Sequence, residues 1–144
     1  MNSIKNLKKE AKIIKEAKKS SYEDKFIPIA NKIFNDNKYK FLEFVENNVK
    51  EHMAKGYKRM YFSMYSQVDK ICKTIGVTEH SDVSFISNYI DNRLIDILKK
   101  QGYLFSYVYC DTDYFHINYF IFWSKLKFIK CKIKNFLFIS DSSM

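Results

Sequence analysis

Glycine, proline and arginine are scarce in this chain of 144 residues, which contains three glycines and one proline. Without Gly-rich segments the chain lacks the loops that bind phosphate in nucleotide-binding folds and the oxyanion loops of acyl-transfer enzymes. Collagen-like and linker-type chains are excluded for the same reason, and a 17% aromatic content excludes intrinsic disorder. The length predicts one domain with a substantial core.

Cysteines and long apolar runs are also few. Cys72, Cys110 and Cys131 fit neither a disulfide framework nor a zinc motif, so we expect reduced, buried thiols. Residues 1–20 are charged throughout and lack the apolar region of a signal peptide, and no run reaches 18 apolar residues. We therefore expect no transmembrane segment and a cytoplasmic location, in a host cell or a virion.

Positive charge is abundant, with a net charge of +9. Nearly all of it is lysine, because Arg59 and Arg93 are the two arginines. Lysine is a hydrated point charge without the planar fork that reads base edges, so this balance favours non-specific attraction to polyanions. Lys, Asn, Ile, Tyr and Phe have AT-rich codons, and we expect a virus or phage with an AT-rich genome as the source.

The positive charge lies in the N-terminal half of the chain and in the tail. Residues 1–25, 26–76 and 124–144 each carry +4, whereas residues 77–101 carry −1 and residues 102–123 carry −2. A helix at 66–75, a helix at 82–101 and a following hairpin have the order of a winged helix. A reading helix of charge −1 next to a hairpin of charge −2 would meet DNA poorly, so the charge disfavours that assignment.

Each glycine closes a segment of helical periodicity. Gly56, Gly76 and Gly102 follow lysine-containing turns and precede an apolar or aromatic residue, which is typical of a left-handed C-cap. We predict three helices before Gly56. They cover residues 3–19, residues from the capping-box pair Ser20 and Glu23 to Asn35-Asp36-Asn37, and residues 38–55. Two further helices are predicted: one capped by Ser66 and Asp69, and the longest at 82–101, starting at Ser81.

Strand patterns follow Gly56 and Gly102. Residues 57–65 alternate apolar and polar side chains, and Tyr103–Tyr109 and Tyr114–Trp123 predict an aromatic hairpin with residues 110–113 as its loop. Alternating lysines predict a further strand in the tail. The fold class is therefore α+β, with N-terminal amphipathic helices and a small C-terminal antiparallel sheet. Residues 1–20 form a basic amphipathic helix, residues 21–123 the core domain, and residues 124–144 a Lys-rich strand or tail.

Catalytic and metal-binding patterns are weak. Asp111, Asp113 and His116 could ligate a divalent cation, and Cys110 with His116 could form a nucleophile and base. Asp and Thr are also ordinary residues of hairpin loops, and free thiols are usually buried, so we favour turn chemistry. We expect a non-enzymatic protein without a cofactor or catalytic residues.

Binding candidates lie in three places. Lys58, Arg59 and Tyr61 belong to the basic–aromatic cluster at residues 57–62, which could bind single-stranded nucleic acid, although a strand start with lysine at the sheet edge is the alternative. Ile4, Leu7, Ala11 and Ile14 form a narrow apolar stripe that must dock on the domain, a partner or a second copy. The third place is the tail, with Lys125, Lys127, Lys130, Lys132 and Lys134.

Two functions are compatible with these patterns. We favour a structural or interaction protein that binds a protein partner, or itself, through its basic amphipathic ends. The alternative is non-specific nucleic-acid binding through Lys-rich surfaces, whose affinity would fall steeply with salt.

Overall fold

The computed structural model describes residues 3–111 and 115–124. Three helices and three strands follow one another in the order α1 (Ile4–Ala54), β1 (Arg59–Phe62), α2 (Tyr65–Thr74), α3 (His80–Lys100), β2 (Leu104–Asp111) and β3 (Phe115–Phe122). Helices α1 and α3 pack against each other and α2 packs on α3. The architecture is α+β, mostly helical with a small antiparallel sheet, as the sequence predicts.

The N-terminal segment is one helix of 51 residues, so the prediction of three helices is wrong. Pro28 lies inside α1, and Ser20 and Glu23 do not start a new helix. The predicted stop at residues 35–37 is also helical, and the side-chain amide of Asn37 donates to the carbonyl of Ile33 over 2.9 Å. Local capping and turn preferences are worth about 1 kcal/mol each, and at residues 35–37 the core packing of Ile33, Phe34 and Phe41 outweighs them.

The three predicted glycine C-caps are confirmed. At the end of α1 the amide of Gly56 donates to Met53 and the amide of Tyr57 donates to His52, and the other two helix ends repeat this pair of bonds. This is the Schellman arrangement, which needs a left-handed residue; Gly56 has a φ of 85°. The turn at Gly56 redirects the chain from α1 into β1.

The starts of α2 and α3 differ from the prediction. Helix α2 begins at Tyr65 without a side-chain cap of its own, and α3 begins at His80 rather than after Ser81. Met64, which precedes α2, donates its amide to the buried Asp91 carboxylate of α3 over 3.1 Å. The backbone amide at the start of α2 thus bonds to a side chain that is distant in the sequence, and a local capping pattern cannot show such a bond.

The sheet has the strand order β1-β3-β2, with β3 antiparallel to both neighbours. Strand β1 is shorter than the predicted 57–65, but the predicted alternation holds: Met60 and Phe62 are buried, whereas Arg59 and Tyr61 are exposed. Strand β2 extends to Asp111, so Cys110 and Asp111 belong to a strand and not to a loop. The predicted tail strand lies outside the described residues.

The core lies between the helices and the inner face of the sheet. Val83, Ile86, Ile90, Leu94 and Leu98 of α3 are fully buried. In α1 Phe41, Val45 and Val49 are buried, whereas Met53 is 45% exposed. Among the described residues no helix combines the length and the apolar character needed to cross a bilayer.

Candidate interaction surfaces

The first 18 residues of α1 lie outside the core. Residues 4–21, called the arm below, are all exposed, and Tyr22 is the first residue of α1 that is partly buried. At 1.5 Å per residue the arm is about 27 Å long. The predicted apolar stripe lies on it, and Ile4, Leu7 and Ile14 are 72%, 51% and 55% exposed. The stripe therefore does not dock on the described part of its own domain.

Tyr22 fixes the point where α1 enters the core. Its hydroxyl donates to Asp82 Oδ1 over 2.7 Å, and its ring lies 4.6 Å from Phe26 and 5.2 Å from Phe85. Burial and the hydrogen bond to the Asp82 carboxylate raise the pKa of Tyr22. Because Asp82 and Phe85 belong to α3, this contact holds the base of the arm against the domain.

A row of lysines runs along the arm on the face that packs against the core further along the helix. Eighteen residues make five turns of an α-helix, so residues 18 apart lie in line along its axis. Phe26, Ala30 and Ile33 are buried core residues. Eighteen residues before them stand Lys8, Lys12 and Lys15, which are exposed and are called the lysine row.

The lysine row gives the arm one strongly positive side. Residues 3–21 contain seven lysines and two glutamates. The row and the apolar stripe lie on neighbouring faces, about a quarter-turn apart. The arm therefore presents an apolar surface bordered by cations, which suits a partner with an apolar groove bordered by carboxylates.

A second surface forms where α1 ends and β1 begins. A cleft of about 410 Å³ is lined by the end of α1, by the connection to β1, by β1 itself and by the central strand β3. We call it the basic–aromatic cleft; its lining residues are His52, Lys55, Tyr57, Arg59, Met60, Tyr61 and Phe120. Tyr57 and Tyr61 are 56% and 55% exposed. None of the described residues that line this cleft carries a carboxylate.

The strand register brings Phe120 to this cleft. Phe120 lies opposite Tyr61, and their rings meet edge-to-face at 6.0 Å. The Arg59 guanidinium carbon lies 5.4 Å from the Phe120 ring centre, within cation–π range. At the other end of the cleft the rings of His52 and Tyr57 are 5.8 Å apart.

Trp123 fixes the backbone beneath the cleft. Its indole Nε1 donates to the carbonyl of Tyr57 over 3.0 Å, and its amide donates to the carbonyl of Lys58 over 3.3 Å. These bonds tie the end of β3 to the start of β1. The aromatic and cationic side chains of the cleft thus stand on a backbone held at both ends.

The sequence-predicted site residues fall into two groups. The stripe residues lie on the arm, and Arg59 and Tyr61 line the cleft beside exposed Lys58. The five tail lysines and Asp113 lie outside the described residues. The backbone register pairs His116 with Cys110, and the metal and nucleophile assignments stay untested. Among residues 3–106 and 119–124, whose side chains the structure describes, no cluster of three or more His, Cys, Asp or Glu could hold a metal.

Sequence reasoning missed the lysine row and three residues of the cleft, whereas Tyr57 belongs to the predicted basic–aromatic cluster. The 18-residue offset between the lysines and the core residues was a usable signal, but splitting α1 into three helices conceals it. Phe120 joins Arg59 and Tyr61 only through the β1–β3 register. Phe120, His52 and Lys55 therefore needed the tertiary structure.

Comparison of the chain with protein-family models, curated proteins and solved structures finds no match. Function is therefore inferred from the geometry and charge of the two surfaces.

Proposed function

We propose that this is a non-enzymatic interaction protein that docks its arm into an apolar, carboxylate-bordered groove of a partner protein. The observation that carries the proposal is the complete exposure of the arm together with its apolar stripe. Isolated helices of this length are marginal in water, and the buried part of α1 supports this one from its C-terminal end.

The apolar stripe supplies the contact area for a partner. Ile4, Leu7, Ala11 and Ile14 follow spacings of three and four residues, the pattern of a helix that lies in a groove. Burying one such isoleucine or leucine fully contributes about 1.5–3 kcal/mol. Three large side chains are enough for specific but modest binding.

The lysine row selects an acidic partner over a second copy of the chain. Two arms packed together would bring fourteen lysines and four glutamates into one short interface, since each arm has seven and two. Like charges facing each other across an interface oppose association, whereas a carboxylate border accelerates and orients it. The occupant proposed here is therefore an acidic protein surface.

Titration with a designed peptide tests this proposal. The probe is a 21-residue helix with leucine at two positions of each heptad and glutamate on its flanks, compared with the same peptide carrying serine at the leucine positions. We expect Ile14→Ser to weaken binding of the leucine peptide about tenfold, since it removes one buried apolar side chain. Changing Lys8, Lys12 and Lys15 to Gln should weaken binding and flatten its salt dependence.

Ile13→Ser is the matched control. Ile13 is 65% exposed, similar to Ile14, but stands off the apolar stripe. Equal effects of the two substitutions, or equal binding of both peptides, would contradict docking through the stripe. Sedimentation equilibrium of the protein alone should show a monomer, and an arm-dependent dimer would identify a second copy as the occupant instead.

The source of the chain stays a prediction from composition: we expect a virus or phage with an AT-rich genome, and neither surface bears on it.

A further inference from the structure

We infer that the basic–aromatic cleft binds single-stranded nucleic acid, with a base stacked on the tyrosines and the phosphate backbone on the cations. This is a site distinct from the arm, at the opposite end of α1. It therefore does not depend on the proposed docking of the arm.

The backbone arranges the cleft residues in an aromatic–cation–aromatic sequence. Arg59 and Tyr61 lie on the exposed side of β1, where successive side chains alternate, whereas Met60 and Phe62 are buried in the core. Tyr57 stands two positions before Arg59, just ahead of the strand, and lines the same cleft. The cleft therefore presents two exposed tyrosine rings and a guanidinium.

The rings provide the surface on which a base can stack. More than half of each tyrosine, Tyr57 and Tyr61, is exposed to solvent. Phe120 touches Tyr61 edge-to-face and receives Arg59 over its ring. These contacts hold Tyr61 and Arg59 against the central strand, and a held aromatic ring binds a base with a smaller loss of side-chain freedom.

The cations provide the contacts to phosphate. Lys55 and Arg59 line the cleft, and Lys58 is exposed next to them. Glu51 pairs with Lys55 over 3.3 Å, but both side chains are more than 60% exposed and such pairs are worth little. Among the described residues around the cleft the charge thus remains positive, which favours an anionic backbone over an uncharged aromatic ligand.

A single strand fits this surface better than a duplex. The faces of paired bases are covered by their neighbours in a duplex, whereas an unpaired base can turn its face to a tyrosine ring. The cleft is shallow and open, so a polymer that continues past it fits better than a ligand needing enclosure. Because stacking tolerates every base, we expect little preference for sequence.

Fluorescence titration of the full chain tests the site. The probe is fluorescein-labelled dT15 in 50 mM KCl, followed by anisotropy, with rU15 and a 15-base-pair duplex as comparisons. The single tryptophan, Trp123, is bonded to the Tyr57 carbonyl beside the cleft, so its emission gives a second readout with unlabelled dT15. We expect a micromolar Kd for both single strands and weaker binding of the duplex.

Substitutions in the cleft are compared with matched exposed residues. Tyr61→Ala should raise the Kd about tenfold, whereas Tyr61→Phe should change it less than about twofold, because the ring is kept. Arg59→Ala should raise the Kd and lower the salt slope by about one. The controls are Tyr39→Ala, a residue 81% exposed on α1, and Lys100→Ala in the last turn of α3. Both should bind as the wild type does.

Each contrary result is decisive. Failure to bind dT15 and rU15 at 50 mM KCl would overturn the inference, as would cleft variants that behave like the two controls. Equal affinity for the duplex would show that net charge alone drives binding. If thymidine monophosphate competes as well as dT15, the site takes free nucleotides rather than a strand. Far-UV circular dichroism of Tyr61→Phe and Tyr61→Ala separates loss of binding from loss of folding.

Discussion

The two parts of α1 share one helix but have different surroundings. Along one line of this helix Phe26 and Ile33 are buried, whereas Lys8 and Lys15, which stand five turns before them, are exposed. The helix continues because its backbone bonds are the same in both parts. Before Tyr22 this face of the helix carries exposed lysines, and after Tyr22 it carries buried apolar residues. A helix can thus supply the core with one part and an interaction surface with the other.

The largest expected difference between the two parts is the loss of stability when an isoleucine is shortened to alanine. Ile33 is 5% exposed and Ile14 is 55% exposed. Ile33→Ala should lower the free energy of unfolding by about 2–5 kcal/mol, because it leaves a cavity in the core. Ile14→Ala should change it by less than about 0.5 kcal/mol. Urea denaturation of the two variants measures both values, and a comparable loss at Ile14 would show that the arm packs on the domain.

The change of unfolding free energy with pH should come from a core residue, Asp91, and not from the arm. Burial raises the pKa of Asp91 from 3.8 to about 7 in the folded protein, partly opposed by the hydrogen bond from Met64. The folded state therefore binds a proton that the unfolded chain releases. This contribution to stability is complete below pH 3.8 and is lost as the pH rises through 7.

Asp91→Asn isolates this effect, because asparagine keeps an oxygen for the Met64 amide and does not ionise. As the pH increases from 4 to 8, the free energy of unfolding of the variant should rise relative to that of the wild type, by about 4 kcal/mol at most. Denaturation at a series of pH values measures the difference. A constant difference between variant and wild type would mean that Asp91 does not titrate in this range.

A smaller effect is expected at the hydrogen bonds that join α1 to α3. Asn31 Oδ1 accepts from the Tyr89 hydroxyl over 3.0 Å and from Arg93 over 2.7 Å, while the guanidinium lies 4.2 Å from the Phe34 ring centre. Asn31→Ala should cost about 1–3 kcal/mol, because it removes both acceptor bonds. Asn6→Ala in the exposed arm is the matched control and should cost almost nothing. Similar losses of unfolding free energy in Asn31→Ala and Asn6→Ala would contradict the difference between the buried part of α1 and the arm.

The smallest effect is expected from removal of the arm itself. A chain that lacks residues 1–20 keeps Tyr22 and all buried residues of α1. Its free energy of unfolding should remain within about 0.5 kcal/mol of the full chain, as for surface changes in general. Thermal unfolding measures this, and a large fall in Tm would place the arm in the folding unit.

The sequence predicts the helix ends better than the helix starts. A glycine after a lysine-containing turn carries the left-handed conformation within a few residues, so Gly56, Gly76 and Gly102 are correctly assigned. The starts of α2 and α3 have no side-chain cap of their own, and Met64 instead bonds to Asp91, 27 residues away. A bond of that separation is absent from any local pattern.

The sequence predicts those parts of the two surfaces whose residues lie close together along the chain. Arg59 and Tyr61 are close in sequence and stand out as a basic–aromatic cluster, and the apolar stripe has its own periodicity. Phe120 depends on strand register, which is set by core packing of Met60 and Ile121 on the other face of the sheet. The lysine row becomes visible only when α1 is treated as one helix.

Hydrogen exchange along α1 tests the division at Tyr22 most directly. Amides of the arm, residues 4–21, should exchange through local opening, whereas amides between Phe26 and Val49 should exchange only with global unfolding. Addition of the acidic leucine peptide should raise protection in the arm and leave the rest of α1 unchanged. Equal protection along the whole helix in the protein alone would contradict an exposed arm.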